Sequence, residues 1–193
     1  MIECDERFIL IENKEKFYQP GNYDQVIRNN PLIDDNDIIV EIDLDDYLPN
    51  ASVLSKIDEI YQDDNIWITN GSFRYTNGQF GFSSRQKIDD NLRNVPMTCS
   101  HLRTWRAFLW RHIEVEDLKD ENGIYWSVTG DLAFMYPMLE MAGDEHYHFI
   151  KDILYVYNGD NPLNDHKVNA EIVNVIADKI RKKEKYFKLD DIN

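Results

Sequence analysis

The sequence predicts an α/β fold: a mixed, mainly parallel sheet flanked by helices, built as one domain over residues 1–193. Three observations lead there. Residues 38–42 read Ile-Ile-Val-Glu-Ile, a short β-branched apolar run of the kind found in buried strands of parallel sheets. A helical period follows at Val53, Leu54, Ile57, Ile60 and Tyr61, and a second strand-like run follows it at 66–69. Near the end, a strand-like run at 153–157 precedes a helical stripe of Val168, Ile172, Ile176 and Ile180.

The other elements fit between these. Residues 8–11, Phe-Ile-Leu-Ile, read as a short strand. Gly21-Asn22-Tyr23 opens a short helix carrying Val26 and Ile27, and Pro31 with the acidic stretch 34–37 separates it from the strand at Ile38. Leu48-Pro49-Asn50 leads into the helix at Val53. Phe73, Tyr75, Phe80 and Phe82 alternate around Asn77-Gly78, a strong hairpin signal. Ser100 is placed to cap a helix with Leu102, Trp105, Leu109 and Ile113 on one face. Asn122-Gly123 marks a turn. Residues 129–141 read as a helix that Pro137 should break or restart. The last helix ends in Arg181, Lys182 and Lys183, which complement the negative end of its dipole. No repeat, low-complexity segment or interdomain linker interrupts the pattern.

Composition narrows the function classes. The chain of 193 residues is long enough for a sizeable core, and its 4 Trp, 11 Tyr and 9 Phe exclude a disordered tail. A formal charge of −15 argues against broad nucleic-acid binding, which needs a basic footprint. It leaves room for a small anion held through a metal. Cys4 and Cys99 form neither a disulfide framework nor a CxxC pair. No apolar stretch is long enough to span a bilayer, and the start lacks a signal-peptide pattern, so a cytoplasmic setting is expected.

Chemistry concentrates where the first buried strand ends. Asp43, Asp45 and Asp46 follow it directly, and ligands bind beyond the carboxyl ends of strands in open α/β sheets. Carboxylates this close repel unless a cation compensates, and Mg²⁺ or Mn²⁺ prefers such oxygen ligands. A solvated acidic turn is the plainer alternative. Asp131, after Thr129-Gly130, suits a helix start. It serves as a general base only if the fold brings it opposite the metal. His101 and Arg103 are candidates for holding a phosphate or hydroxyl-rich ligand, against ordinary ion pairing. His166, in the loop 161–166, is a candidate metal ligand, with His146 and His148 weaker ones. Trp67, Tyr75 and Trp105 are of the type that stacks on sugar rings, although core packing accounts for most aromatics.

Together these segments resemble family 2 glycosyltransferases of the GT-A fold. The likeness starts in the string from Asp37 through Glu41, Asp43, Asp45 and Asp46 to Leu48-Pro49, which is similar to their strand and Asp-x-Asp region. It continues through Ile66-Trp67-Ile68-Thr69-Asn70-Gly71, Ser100-His101-Leu102-Arg103-Thr104-Trp105 and Thr129-Gly130-Asp131-Leu132. It ends in Leu154-Tyr155-Val156-Tyr157-Asn158 and Asn161-Pro162-Leu163-Asn164-Asp165-His166. The order of motifs resembles a subgroup seen in viral and microbial sequences. The resemblance implies a metal-dependent inverting transfer of a sugar from a nucleoside-diphosphate donor, a UDP-sugar, to a glycan or other hydroxyl acceptor. It implies Asp131 as catalytic base, and Asp43, Asp45 and Arg103 at the donor. It places His101 and Trp105 at the acceptor, with Asp45, Asp46 and His166 on Mn²⁺ or Mg²⁺.

Two departures stand out. Leu44 replaces the small residue usual between the first two acids, crowding the ribose side. The family also begins with a βαβ nucleotide-binding segment, and nothing before Phe8 supplies it. The expectation is a partial GT-A domain with an open sheet edge and a tendency to self-associate. Two other readings stand beside the transferase. One is a non-catalytic sugar-binding remnant. The other is a phosphatase of the haloacid dehalogenase type, with Asp43 as nucleophile and Asp45 as acid/base; Tyr47 at its usual Thr position weighs against it.

Overall fold

The computed structural model describes residues 6–162, 164 and 170–190. Its framework is a four-stranded mixed sheet of β1 (Ile38–Val40), β2 (Ile68–Tyr75), β3 (Arg103–Arg106) and β4 (Tyr147–Tyr157), in the order β1-β3-β2-β4. The helices are α1 (Tyr18–Ile27), α2 (Val53–Tyr61), α3 (Ala107–Arg111), α4 (Gly130–His146) and α5 (Ala170–Arg181).

The α/β class is as expected, but the sheet is not mainly parallel. β2 and β4 pair in parallel, while β3 pairs antiparallel with both β1 and β2. β1, β2 and β4 therefore share one direction, and β3 runs against them. The sequence reading took residues from Ser100 onward as one helix and so removed the strand that reverses two of the three pairings. All four β3 residues are buried, and three are polar or charged. That composition hides a central strand. It is tolerated because most of its polar groups find partners: Thr104 Oγ1 bonds Tyr61 and Thr69 hydroxyls at 3.0 and 2.7 Å, and Arg106 donates to the Ile66 and Tyr61 carbonyls at 2.9 and 3.1 Å.

The period of two divides the sheet's faces. Ile38 and Val40 pack with α2 in a smaller core containing Val53, Ile57, Tyr61 and Phe73. Ile39 and Trp105 face a larger core shared with α1, α3 and α4. There Trp105 is fully buried, with ring centroids 5.7 Å from Phe134 and 6.1 Å from Trp110. It is a core residue and lines no cleft, so the acceptor-stacking role expected of it is withdrawn.

Other elements depart from expectation for local reasons. Residues 8–11 form no strand and are exposed. α4 passes through Pro137 without breaking, because residues 132–139 are buried and packing offsets the missing amide bond; its non-helical residue is Gly143, at φ 64°. α5 buries Ala177 and Ile180, while Ile172 is exposed, so its inner face is rotated from the expected stripe; Val168 lies outside the described residues. The hairpin after β2 is present, with Tyr75 N–H donating to Gln79 O at 2.8 Å and Gly78 in the left-handed region at φ 87°. Outside β1, no strand pairs with its second edge among the described residues. Among those residues no helix is long and apolar enough to cross a membrane.

Trp105→Ala should cost about 3–5 kcal/mol, the range for emptying a large aromatic site in a packed core. Urea unfolding measures it, and a loss below about 1 kcal/mol would contradict the packing described.

Candidate functional site

The common direction of β1, β2 and β4 brings their carboxyl ends to one end of the sheet, where the amino end of antiparallel β3 also lies. The acidic loop follows β1 there. It is stitched to β4 by paired backbone bonds between Tyr47 and Val156, at 3.3 and 2.9 Å. Asp43 N–H donates to the Tyr155 hydroxyl at 3.1 Å, and Asn158 N–H donates to Asp46 Oδ1 at 2.7 Å. His101, just before β3, completes the arrangement. Its ring stacks on Tyr155 at 4.5 Å and on Tyr157 at 5.5 Å.

Asp43, Asp46 and His101 each offer one ligand atom within 4.8 Å of the others. His101 Nε2 stands 4.0 Å from Asp43 Oδ2. His101 Nδ1 and Asp46 Oδ2 are buried without a hydrogen bond of good geometry. Burial, reinforced by Arg103, holds His101 well below the usual imidazole range, so the ring is neutral and has a lone pair to offer. Burial pushes Asp43 up to about 7; Glu41 adds to this, Arg103 partly offsets it, and Asp46 and Asp45 contribute. Two half-buried acids and a buried, neutral imidazole fit a divalent cation. No ion identity follows from that group alone.

This set differs from the expected ligands. Asp46 is retained. Asp45 is exposed and accepts from Asn161 Nδ2 at 2.5 Å. His101 stands where a late histidine was expected, and His166 lies outside the described residues. His146 is buried against Trp67 with its Nδ1 2.7 Å from Asn65 O, and His148 is exposed on β4; neither belongs to the group. Sequence reasoning missed the pairing of His101 with Asp43 because 58 positions separate them and only the sheet end joins them.

A cleft of about 850 Å³ opens beside this group and is lined by Asp43, Asp45, His101, Arg103 and Asp131. Asp45 and Asp131 thus line one cavity. Arg103 is its internal strut. Its Nη1 donates to both Glu41 carboxylate oxygens at 3.0 and 3.1 Å, and its Nη2 donates to Asp131 Oδ2 at 2.8 Å. Gln19 and Tyr23 from α1 also donate to Glu41, at 2.8 and 3.2 Å. Burial would lower the Arg103 pKa, but Glu41 and Asp131 more than offset it, so the guanidinium stays charged. With Nη1 on Glu41 and Nη2 on Asp131, Arg103 positions Asp131, while its buried Nε makes no hydrogen bond. Asp131 Oδ1 also accepts the Leu132 N–H at 3.0 Å, so its helix-start role is real alongside its place in the cleft.

The backbone around the cleft is strained. Tyr18 at φ 56° and Thr129 at φ 50° are the only non-glycine residues with positive φ among those described, and both line this cavity. Such conformations cost about 1–3 kcal/mol and concentrate at functional sites. The amino end of α4 can approach α1 only because residue 130 is glycine: a Cβ there would lie 2.6 Å from the Pro20 ring.

No protein-family model matches the chain. No curated protein matches it either.

Asp43 yields a pH-dependent outcome. Its folded-state value of about 7 lies above the ordinary 3.8, so the stability it contributes is full below about 4 and is lost as pH rises through 7. In chelator at pH 8, Asp43→Asn should be more stable than the parent by about 1–2 kcal/mol, discounted because the carboxylate keeps solvent contact. At pH 4 the two should unfold together. Thermal melts across that range check both statements.

Proposed function

We propose that this protein is a metal-dependent inverting glycosyltransferase of GT-A type, acting on a nucleoside-diphosphate sugar and a hydroxyl acceptor. The observation that carries the reading is one cleft lined by Asp43 and His101, two members of the candidate cation group they form with Asp46, and by a separate carboxylate, Asp131, fixed by Arg103. The position of these residues at the carboxyl ends of three like-directed strands supports it.

Electrostatics explain why a cation is needed. The cleft is lined by Asp43, Asp45 and Asp131, and among the described residues its cations are Arg103, already paired with Glu41 and Asp131, and Lys16. Alone, such a cleft repels a diphosphate. Asp43, Asp46 and His101 would hold a divalent ion, Mn²⁺ or Mg²⁺, whose charge would attract the diphosphate and stabilise it on departure. The chain's own groups then do the proton work. Asp131 accepts the acceptor's hydroxyl proton as that oxygen bonds to the anomeric carbon. The bond from that carbon to the diphosphate breaks, and its electron pair leaves with the phosphate oxygen. Attack opposite the leaving group inverts the anomeric centre. Arg103 keeps the Asp131 carboxylate aimed, and Glu41 keeps Arg103 in place.

The two carboxylates should separate binding from chemistry. Asp46→Asn should weaken Mn²⁺ and UDP binding together, read by calorimetry. Asp131→Asn should leave both within about twofold yet lower sugar transfer by about 10²–10⁴-fold, the usual worth of a positioned base. A parent protein that binds neither Mn²⁺ nor a nucleoside diphosphate overturns the reading.

A further inference from the structure

Behind Asp131 lies a second cavity of about 580 Å³ that the donor and metal chemistry leaves unused. It shares His101, Arg103, Asp131 and Tyr157 with the acidic cleft, so the two open onto the same carboxylate. Its own walls differ in kind: Phe73, Tyr75, Phe82 and Met97, with Ser100 as a small polar group. Phe73 is the hub, with ring centroids 5.4 Å from Tyr75, 5.6 Å from Phe82 and 5.9 Å from Tyr157, each edge to face.

We propose that this cavity is a subsite for a neutral pyranoside, whose apolar C–H face lies on the Phe82 and Tyr75 rings while one hydroxyl reaches Asp131. The inference rests on the transferase reading for the role of that sugar as acceptor. Three features carry it. Phe82 is 63% exposed at the cavity rim, although its neighbour Phe73 is 2% exposed, so an aromatic face is left open to a ligand. Two glycines keep the aromatic wall in place: a Cβ on Gly81 would lie 2.3 Å from Phe73, and one on Gly159 would lie 2.7 Å from Tyr75. The cavity's charge selects a neutral ligand. Its one cation among the described residues is Arg103, committed to Glu41 and Asp131, and the chain's net charge of −15 repels anions. A pyranose combines an apolar face with hydroxyls, which matches aromatic walls ending at a carboxylate.

Saturation-transfer NMR in chelator, without nucleotide, tests this with methyl pyranosides, the corresponding uronates and phenol as probes. The expected result is metal-independent binding of the neutral sugars, with saturation strongest on the C–H protons of one ring face and weaker binding of uronates. Phe82→Ala should weaken binding about 2–12-fold, and Phe82→Trp should retain it. Because Phe82 is at the rim, both variants should melt with the parent. Absence of sugar binding, an unchanged affinity in Phe82→Ala, or binding of phenol in preference to every sugar overturns the proposal. If Mn²⁺ and UDP bind while sugars do not, the subsite fails and the transferase reading stands. If sugars bind while Mn²⁺ and UDP do not, the subsite stands and the transferase reading falls.

Discussion

The Arg103 guanidinium, buried between Glu41 and Asp131, is the interaction on which the rest of this structure depends. It sits at the start of the one strand that runs against its neighbours. It joins the end of β1 to the amino end of α4, and through Glu41 it reaches Gln19 and Tyr23 on α1. Three elements distant in sequence therefore meet on a single cation. Burying such a group is expensive unless its partners are in place, and removing one partner typically costs about 3–5 kcal/mol. The core beneath it, Trp105 with Trp110 and Phe134, holds β3 at the depth the guanidinium needs.

That anchor also divides the open end of the sheet into two chemical environments. On one side are the acids of the β1 loop with His101, a surface that favours a cation and, through it, an anion. On the other side are Phe73, Tyr75 and Phe82, which favour an uncharged ring. Asp131 belongs to both sides and is held still between them. The strained backbone at Tyr18 and Thr129 is the conformational cost of bringing α1 and α4 against this boundary.

The aromatic composition serves two separate ends. Trp105, Trp110, Phe134 and Tyr23 fill the core, where edge, tilted and stacked contacts at 5.3–6.3 Å leave no face for a ligand. The rings around Phe73 instead line a cavity. Nothing in residue type separates the two groups. Tryptophan, the residue most suggestive of sugar stacking, is at position 105 a core residue, while a phenylalanine on a hairpin is the exposed one.

The sequence alone determined what local rules control. A β-branched run that ends in three carboxylates specifies a strand and an acidic cluster at its end. The i, i+4, i+8 spacing of Val53, Ile57 and Tyr61 specifies α2, and Asn77-Gly78 specifies the hairpin. Tertiary structure decided everything that depends on partners. Residues 103–106 can be a buried strand because Glu41 and Asp131 pair Arg103, Tyr61 and Thr69 pair Thr104, and backbone carbonyls pair Arg106, and no local pattern announces that. α4 continues through Pro137 because the surrounding core holds it. His101 joins Asp43 and Asp46 because antiparallel β3 brings its amino end to the carboxyl end of β1, a juxtaposition set by strand direction and by no spacing in the chain. Periodicity reports which face of an element is apolar, whereas a site is made where faces meet, and that is a property of the assembled sheet.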